Sequence, residues 1–567
     1  MRTKQITTET NLYAFAFMLA LGLRLVNLGK VPLSDLEAGW ALQAWDLSYG
    51  ISSQPAYVAL TRGIFFFLGS SNTLARLWPV LTGSILVLIP VAFRSTLGRS
   101  AALILAFGLA MDPGLVAISR LAGGSMMAIS FTAIAFAAFY RQEPAWGGIF
   151  SALAILSGSS IWIALTGMII FGVLLKLWKP FQAAELKLVS LRTSIDQETL
   201  TTGLMFGLGT FLVVGTLLFS SPLGLSAWAQ DAVLYFQGWG NPSGISANRV
   251  VMGLIMYAPL ALVFCFVMVV EHGKFHRPLV RVLCLWAISM LAVVLLYPGR
   301  QVTDAAWVLI PIWTLAALGL ARYWKHDWGD MVVWGQAATQ FVVLVLVWLI
   351  LAGSYHLISE AEMLRGVLLL GLLGFGVLTF IFVGLGWSWL SARQGLALGL
   401  GSALVVYVLA TVFNLLQVNP VNSAELWLPQ RSTGQADLLL ETLKDLSLRE
   451  TGQANELNGV ALVDSPALRW ALRDFTDIIF TPTAEIVETT SPSVILALPL
   501  DSGKLLPTAY RGQDFVWQVS TETTGALPAS LDRWLINRDA PIVMEKIVLW
   551  VREDLFLDKP PLVTHDY

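Results

Sequence analysis

Two carboxylates set two residues apart, Asp35 and Glu37, stand in the segment Lys30–Trp45, directly after the first long apolar run. Carboxylates beside a bilayer are costly unless something uses them. Here they suit the removal of a proton from an acceptor hydroxyl as it attacks a sugar carbon, or the binding of a metal or substrate. The same residues also read as a helix start. Ser34-Asp-Leu-Glu37 has the capping-box pattern, with Ser34 as N-cap and Glu37 reaching back, and both acids suit a helix N-terminus. A third acid, Asp112, lies in Leu109-Ala-Met-Asp-Pro-Gly114. It reads either as an acid facing the same cavity or as the turn former before Pro113.

Three arginines complete the set. Arg76, Arg120 and Arg300 sit at the ends of apolar runs. A guanidinium pairs with a phosphate through two parallel hydrogen bonds, so together they suit a lipid-linked phosphate at the membrane surface. Singly, each also reads as a side chain snorkelling to headgroups or pairing with a nearby acid. The five histidines have no ligand spacing; His272 and His276 are four apart but stand among basic residues. Cys265 and Cys284 lie inside apolar runs and read as small core residues, which excludes a disulfide scaffold or a cysteine-rich metal site.

These residues need a membrane frame to position them. The chain has 567 residues, of which 56% are hydrophobic and 13% charged, against roughly 25% charged in a soluble domain. Its mean hydropathy is +0.70. The composition is that of a polytopic helical membrane protein. Residues 1–420 hold 23 Lys and Arg against 16 Asp and Glu, whereas residues 421–567 hold 12 against 21. A basic-edged membrane domain (1–420) is thus followed by an acidic, water-soluble tail (421–567).

A helix needs about 20 apolar residues to cross a bilayer. Spans are predicted near 12–29, 75–94, 101–119, 122–140, 146–160, 161–178, 201–220, 250–271, 280–298, 304–323, 332–353, 364–388 and 396–416, about thirteen in all. Segment 146–178 reads as one kinked helix or as two meeting at Ser157-Gly-Ser-Ser160. The first run lacks a small-residue cleavage site and reads as a retained helix.

With the N-terminus in the cytoplasm, the basic clusters at Arg94–Arg99, Arg141, 176–200, 274–281, Arg322–Lys325 and Arg393 all fall inside. Thirteen spans then place the tail outside the cell membrane. The long loops 30–74 and 221–249 also face out. Loop one carries the segment Ser34–Leu47, with Trp40 and Trp45 at headgroup level, and a second interfacial or re-entrant helix over Tyr57–Leu68. Loop two is aromatic and interfacial. The 180–200 segment reads as an inner-surface amphipathic helix.

In the tail, Leu438–Leu448 and Ser465–Phe475 have helical patterns, while Val460–Val463, Val494–Leu498, Phe515–Val519 and Ile547–Val551 are strand-like. A small α/β domain fits. It contains no GxGxxG, Walker or zinc-binding motif, and nothing in the chain points to a nucleic-acid partner.

The order of these features resembles the GT-C membrane glycosyltransferases. It includes "SNTLARLWPVLTG" at 71–83, "DPGLVAISRLAGGSMMAISF" at 112–131 and "GRQVTDAAWVLIPIW" at 299–313. Within that group it is similar to the family-39 protein mannosyltransferase and aminoarabinose transferase relatives. The tail segments "LRWALRDFTDIIF" (468–480) and "EKIVLWVRED" (545–554) are similar to the flippase-associated family of archaeal-type N-glycosylation. The resemblance covers almost the whole chain and rests more on architecture than on its short motifs. It implies a GT-C-like fold and inverting transfer of a sugar from a polyprenyl-phosphate donor to an extracytoplasmic lipid, glycan or protein.

It also implies roles: Glu37, Asp35 or Asp112 as catalytic acids, and Arg76, Arg120 and Arg300 as the phosphate site. No cofactor is required by the pattern, although it leaves room for a divalent metal, and protein partners are compatible with it. The family's first loop carries two adjacent acids. Here Glu37-Ala-Gly-Trp matches the second and its sequel, Leu36 holds the first acid's place, and Asp35 lies one position earlier. No acid follows Arg120 in Arg120-Leu-Ala-Gly-Gly-Ser125. Two other functions remain open: a catalytically silent GT-C-like scaffold subunit, and a lipid-linked sugar transporter. Charges gathered at one face, with no inverted repeat, weigh against the transporter.

Overall fold

The computed structural model describes residues 8–177, 197–272, 278–323, 330–353, 362–416, 425–427, 431–483, 490–499, 509–521, 523–524, 527–528, 534 and 540–556. The boundary near residue 420, the five histidine side chains, most of the 180–200 segment and the basic connections at 179–192, 274–277 and 325 lie outside the described residues.

A backbone in hydrocarbon must satisfy its own hydrogen bonds, so the apolar runs become helices. In chain order the first are α1 (Thr8–Leu25), α2 (Asp35–Trp45), α3 (Pro55–Leu68), α4 (Asn72–Ala75), α5 (Leu77–Ile85), α6 (Arg94–Leu97), α7 (Arg99–Met111), α8 (Pro113–Ser119), α9 (Ser125–Tyr140), α10 (Pro144–Ile155) and α11 (Ser160–Leu177). The helices Gln197–Gly215, Leu223–Gln237, Ala247–Tyr257, Pro259–His272, Pro278–Leu296, Ala306–Tyr323, Met331–Gly353, Glu362–Gly386 and Trp389–Leu416 follow.

All thirteen predicted segments are helical, but not all as single spans. Among the described residues seven helices are long and apolar enough to cross a membrane, or up to nine if each of two bent pairs is one span. The pairs are α7 with α8, bent by 55°, and Ala247–Tyr257 with Pro259–Val270, bent by 88°. Each break precedes a proline, which removes a backbone donor and favours a new helix start. The remaining predicted spans are α1 and the shorter apolar helices Leu77–Val91, α9 and α10. Segment 146–178 is two helices, α10 and α11, separated at 156–159.

The Ala306–Tyr323 helix lies at the centre, with Trp307, Val308, Leu309, Trp313, Leu315, Ala316 and Ala317 all buried. The Glu362–Gly386 helix instead displays Leu364, Val367, Leu370, Val377 and Phe382 on the outside of the protein. Apolar surface of that extent suits lipid rather than water. The fold is that of a multi-pass membrane protein.

The C-terminal part is built on strands β1 (Arg431–Thr433), β2 (Gly459–Ala461), β3 (Ile478–Phe480), β4 (Val494–Ala497), β5 (Tyr510–Thr521), β6 (Thr523–Thr524), β7 (Leu527–Pro528) and β8 (Ile542–Arg552). Six of them form one sheet in the order β1-β5-β8-β4-β2-β3, and β6 pairs with β7 separately. β2 runs parallel to β3 and β4, whereas β8 is antiparallel to β4 and β5. The helices Ala436–Glu450 and Pro466–Ala471 cover the sheet through Leu439, Leu443, Leu468 and Trp470.

The sheet unit sits on α2 and on the loops around α4. Thr433 Oγ1 donates to Leu33 O at 2.8 Å, Trp470 Nε1 to Asn72 Oδ1 at 2.8 Å, and Arg473 Nε to Ser70 Oγ at 3.0 Å. This end of the helical bundle is called the sheet face below. At the far end of α3, Phe66, Phe67 and Leu68 are exposed together, as an interfacial helix requires.

Candidate functional site on the sheet face

The capping box at the start of α2 forms as its pattern dictates. Ser34 N and Oγ donate to Glu37 Oε2 at 3.1 and 3.0 Å, and Glu37 N donates back to Ser34 Oγ. Glu37 does more than cap. Arg76 Nε reaches Oε1 at 2.8 Å, Arg76 Nη2 reaches Oε2 at 2.9 Å, and Ala122 N reaches Oε1 at 2.8 Å. Burial alone would raise the Glu37 carboxyl, but the Arg76 charge and these hydrogen bonds outweigh it and hold it below the usual carboxylate range.

Arg76 is equally committed. Its remaining donors go to Leu28 O and Val31 O (2.9 and 2.7 Å) and to Pro32 O (3.2 Å). All five guanidinium donors have partners within the protein. The knot ties α2, the link after α1, the start of α5 and the exit of α8 together.

Asp35 points the other way, into the sheet unit. It accepts from Ser465 Oγ at 2.6 Å, from Ala467 N at 3.0 Å and from Gln518 Nε2. It thereby fastens the start of the Pro466–Ala471 helix and strand β5 onto α2. Leu36, between the two acids, is 60% exposed.

Asp112 lies at the bend between α7 and α8 and is fully buried. Its Oδ1 accepts from Leu115 N at 2.8 Å, capping α8, and its Oδ2 accepts from Trp313 Nε1 at 2.7 Å. The structure therefore brings Glu37 and Arg76 into direct contact, with Asp112 and Arg120 at opposite ends of α8, about two turns apart, while Asp35 belongs to the domain junction.

Arg120 and Arg300 keep unengaged donors. Arg120 Nη1 donates to Arg24 O and Val26 O at 3.1 and 2.6 Å, capping the end of α1, while its Nε and Nη2 have no partner among the described residues. Burial and the neighbouring Arg76 charge pull its pKa down to about 10. Arg300 braces the turn after Pro278–Leu296 with one bond per nitrogen, to Val294 O, Ile245 O and Leu295 O.

Four further residues come forward only in three dimensions. Arg24 is fully buried and donates to Ser119 Oγ, Ala20 O, Ala110 O and Leu109 O. Arg249, 5% exposed, has a single side-chain hydrogen bond among the described residues, Nη2 to Leu426 O at 3.3 Å, and its buried Nε has none among them. It stands in the first turn of Ala247–Tyr257, near the Ile245 carbonyl that Arg300 holds.

Asp231, on Leu223–Gln237, accepts from Gln54 N at 3.0 Å, and burial pushes its pKa up to about 7. Gln54 takes a left-handed conformation (φ 56°) and its Oε1 accepts from Gly124 N at 2.7 Å. A Cβ on Gly124 would lie 1.8 Å from Ser157 O, so only glycine admits this approach. Asp304 accepts from Ser160 Oγ (3.1 Å) and Gln301 N (2.7 Å).

Sequence signals for these existed but were local and weak. Asp231 is four residues before Tyr235, on one helix face. Asp304 is three after Gln301, a capping spacing. Arg249 is three after the N-cap Ser246.

Among the described residues no group of three or more His, Cys, Asp or Glu is placed to hold a metal ion. Cys265 and Cys284 are free thiols.

The chain superposes almost end to end on ArnT from Cupriavidus metallidurans bound to undecaprenyl phosphate. That match has 13% identity, covers 96% of this chain and 99% of that one, and has a TM-score of 0.56. The likeness is one of fold. The apo state of the same ArnT matches at 13% identity over 97% of this chain and 99% of that one, with a TM-score of 0.55. The archaeal oligosaccharyltransferase AglB from Archaeoglobus fulgidus, in complex with an inhibitory peptide and a dolichol-phosphate, follows. Its identity is 12% over 86% of this chain and 69% of that one, with a TM-score of 0.45. No family model matches the chain. No curated protein sequence matches it either.

Proposed function

We propose that this protein is a membrane glycosyltransferase that moves a sugar from a polyprenyl-phosphate carrier to an acceptor beyond the membrane. The observation that carries the proposal is the superposition, over nearly the full length of both chains, on a transferase bound to undecaprenyl phosphate. Fold alone does not secure chemistry, so the side chains must support it. The sheet face, which we take as extracytoplasmic, gathers guanidiniums with unengaged donors. Arg120 and Arg300 would hold the phosphate, and Arg249 joins them as a buried cation without a carboxylate partner among the described residues. Arg76 acts at one remove, by fixing Glu37 and the loop beside Arg120.

In an inverting transfer the acceptor oxygen attacks the anomeric carbon, the carbon–oxygen bond to phosphate breaks, and the polyprenyl phosphate leaves. The acceptor proton passes to a carboxylate. Purified protein given a labelled polyprenyl-phosphate sugar should transfer it, and Arg120→Ala and Arg300→Ala should each weaken donor use. Undiminished transfer by the double variant Asp35→Asn, Glu37→Gln would remove both first-loop acids from the mechanism.

One observation favours a second reading. Glu37, Asp35 and Asp112 all accept hydrogen bonds on both oxygens, so each is committed to a partner within the protein rather than directed at a substrate. A chain that keeps the fold without the transfer would be a scaffold subunit. It would co-purify with partners and fail to bind the donor.

A further inference from the structure

On the sheet face, a cavity of about 270 Å³ opens between Leu223–Gln237, the 241–243 loop, the turn after Pro278–Leu296 and the α10–α11 break. Its lining includes Tyr235, Gln237, Asn241, Tyr297, Ser159 and Asp304. Among the described residues no Lys or Arg lines it. Arg300, which is adjacent in sequence, turns its three nitrogens to Val294 O, Ile245 O and Leu295 O instead. A phosphate or a carboxylate ligand would meet no cation here.

The lining does fit a polyhydroxyl ring. Tyr235 and Tyr297 stack with centroids 5.0 Å apart and planes at 26°. Their hydroxyls are already engaged, Tyr297 with Tyr235 O at 2.9 Å and Tyr235 with Thr166 Oγ1 at 2.7 Å. The rings are thus fixed walls rather than polar contacts. Trp239, 44% exposed, lies edge-on to Tyr297 at 5.3 Å and extends the aromatic surface outward.

Facing this wall, the amides of Gln237 and Asn241 and the Ser159 hydroxyl make no hydrogen bond among the described residues. Amides both donate and accept, as sugar hydroxyls do, and each Asp304 oxygen retains a lone pair beyond its one bond. The volume lies just below the roughly 300–1,000 Å³ of pockets for drug-sized ligands, which suits one small ring.

We infer that this cavity binds a saccharide ring that carries no negative charge. The inference rests on the transferase reading only for its purpose, since it assigns the sugar a place apart from the phosphate-holding arginines. Binding is measurable without transfer.

The test uses purified full-length protein in nanodiscs, with free methyl hexosides and the matching methyl uronates, followed by saturation-transfer NMR and tryptophan fluorescence. At least one neutral glycoside should bind saturably with Kd of about 1 mM or tighter. Its uronate should bind at least about tenfold more weakly, because the lining offers its negative charge no cation. Gln237→Ala and Asn241→Ala should weaken binding roughly 3- to 10-fold each, the effect of losing one or two neutral hydrogen bonds. Both side chains are exposed and unpaired, so their loss leaves the fold intact.

The inference is overturned by the absence of saturable binding across the panel. Equal binding of the uronate, or indifference to both alanine variants, overturns it as well. Saturable binding with no transfer from a polyprenyl-phosphate sugar overturns the transferase reading alone.

Discussion

Arg76 and Glu37 meet through two parallel hydrogen bonds, of 2.8 and 2.9 Å, with both side chains 4% exposed. A proton acceptor in catalysis needs a free lone pair directed at substrate, and this carboxylate directs its oxygens at Arg76, Ala122 and Ser34. The pair is a structural lock on the loop that follows α1. Removing one partner of such a buried pair costs about 3–5 kcal/mol, because the other charge is left uncompensated. Glu37→Gln and Arg76→Ala should therefore each lower the unfolding temperature in detergent sharply.

The pH dependence of that lock has a definite sign. The folded Glu37 carboxyl titrates below the ordinary glutamate value of 4.5. Its stabilisation is complete above that unfolded value and is lost as pH falls through the folded one. A wild-type unfolding temperature that drops below about pH 4.5, and an Arg76→Ala temperature that does not, would display it. A Glu37→Gln protein that unfolds like wild type but has lost transfer would return Glu37 to catalysis.

Asp35 should behave as a fastener of the sheet unit. Asp35→Ala deletes the acceptor for Ser465 Oγ, Ala467 N and Gln518 Nε2. Leaving buried donors unsatisfied costs about 1–3 kcal/mol, felt locally. Hydrogen exchange should speed up in Pro466–Ala471 and β5 while the Ala306–Tyr323 helix keeps its protection. Unchanged exchange at the junction would remove Asp35 from this role.

What the sequence made legible was local. The capping box at Ser34–Glu37 spans four residues, and its pattern carries its own geometry. The partners that turn it into a knot are not local: Arg76 is 39 residues from Glu37 and Ala122 is 85. No periodicity reports such a meeting. Span positions were legible from apolar length, but span integrity was not. At Asp112-Pro113 an N-cap and an N1 proline begin a helix inside an apolar run, and hydropathy averages over it. In the tail, β2, β4, β5 and β8 were legible because each falls on a mostly apolar run of four or five residues, whereas β1 is the polar triplet Arg431–Thr433 and β3 the bare triplet Ile478–Phe480. Asp231 and Asp304 carry no motif of their own. What sets them apart is burial, which only the folded chain supplies.

Asp231 offers a pH test of the opposite sign. Burial pushes its folded pKa up to about 7, from the ordinary aspartate value of 3.8. Between those values the folded protein holds a proton that the unfolded chain releases, so stability falls as pH rises through this window and levels off above about 7. Asp231→Asn keeps an oxygen for Gln54 N–H and removes the charge. Its unfolding temperature should be flatter than wild type between pH 5 and 8, and higher at the alkaline end. An identical pH profile for the two proteins would show that Asp231 is charged throughout.

Arg249 separates a binding role from a structural one most cleanly. Its guanidinium is buried, has one hydrogen bond to a carbonyl, and has no carboxylate partner among the described residues. A buried charge without compensation opposes folding. Arg249→Ala should therefore leave the unfolding temperature of the lipid-free protein unchanged or raise it, unlike Arg76→Ala. An anionic lipid phosphate at the start of the Ala247–Tyr257 helix would supply the missing counter-charge, aided by the helix N-terminus. Adding undecaprenyl phosphate should then raise the unfolding temperature of wild type and leave Arg249→Ala unmoved. Native mass spectrometry should show the variant binding that lipid at least about tenfold more weakly, the loss of one charge-assisted contact. Equal lipid stabilisation of both proteins would assign Arg249 to packing and leave the phosphate to Arg120 and Arg300.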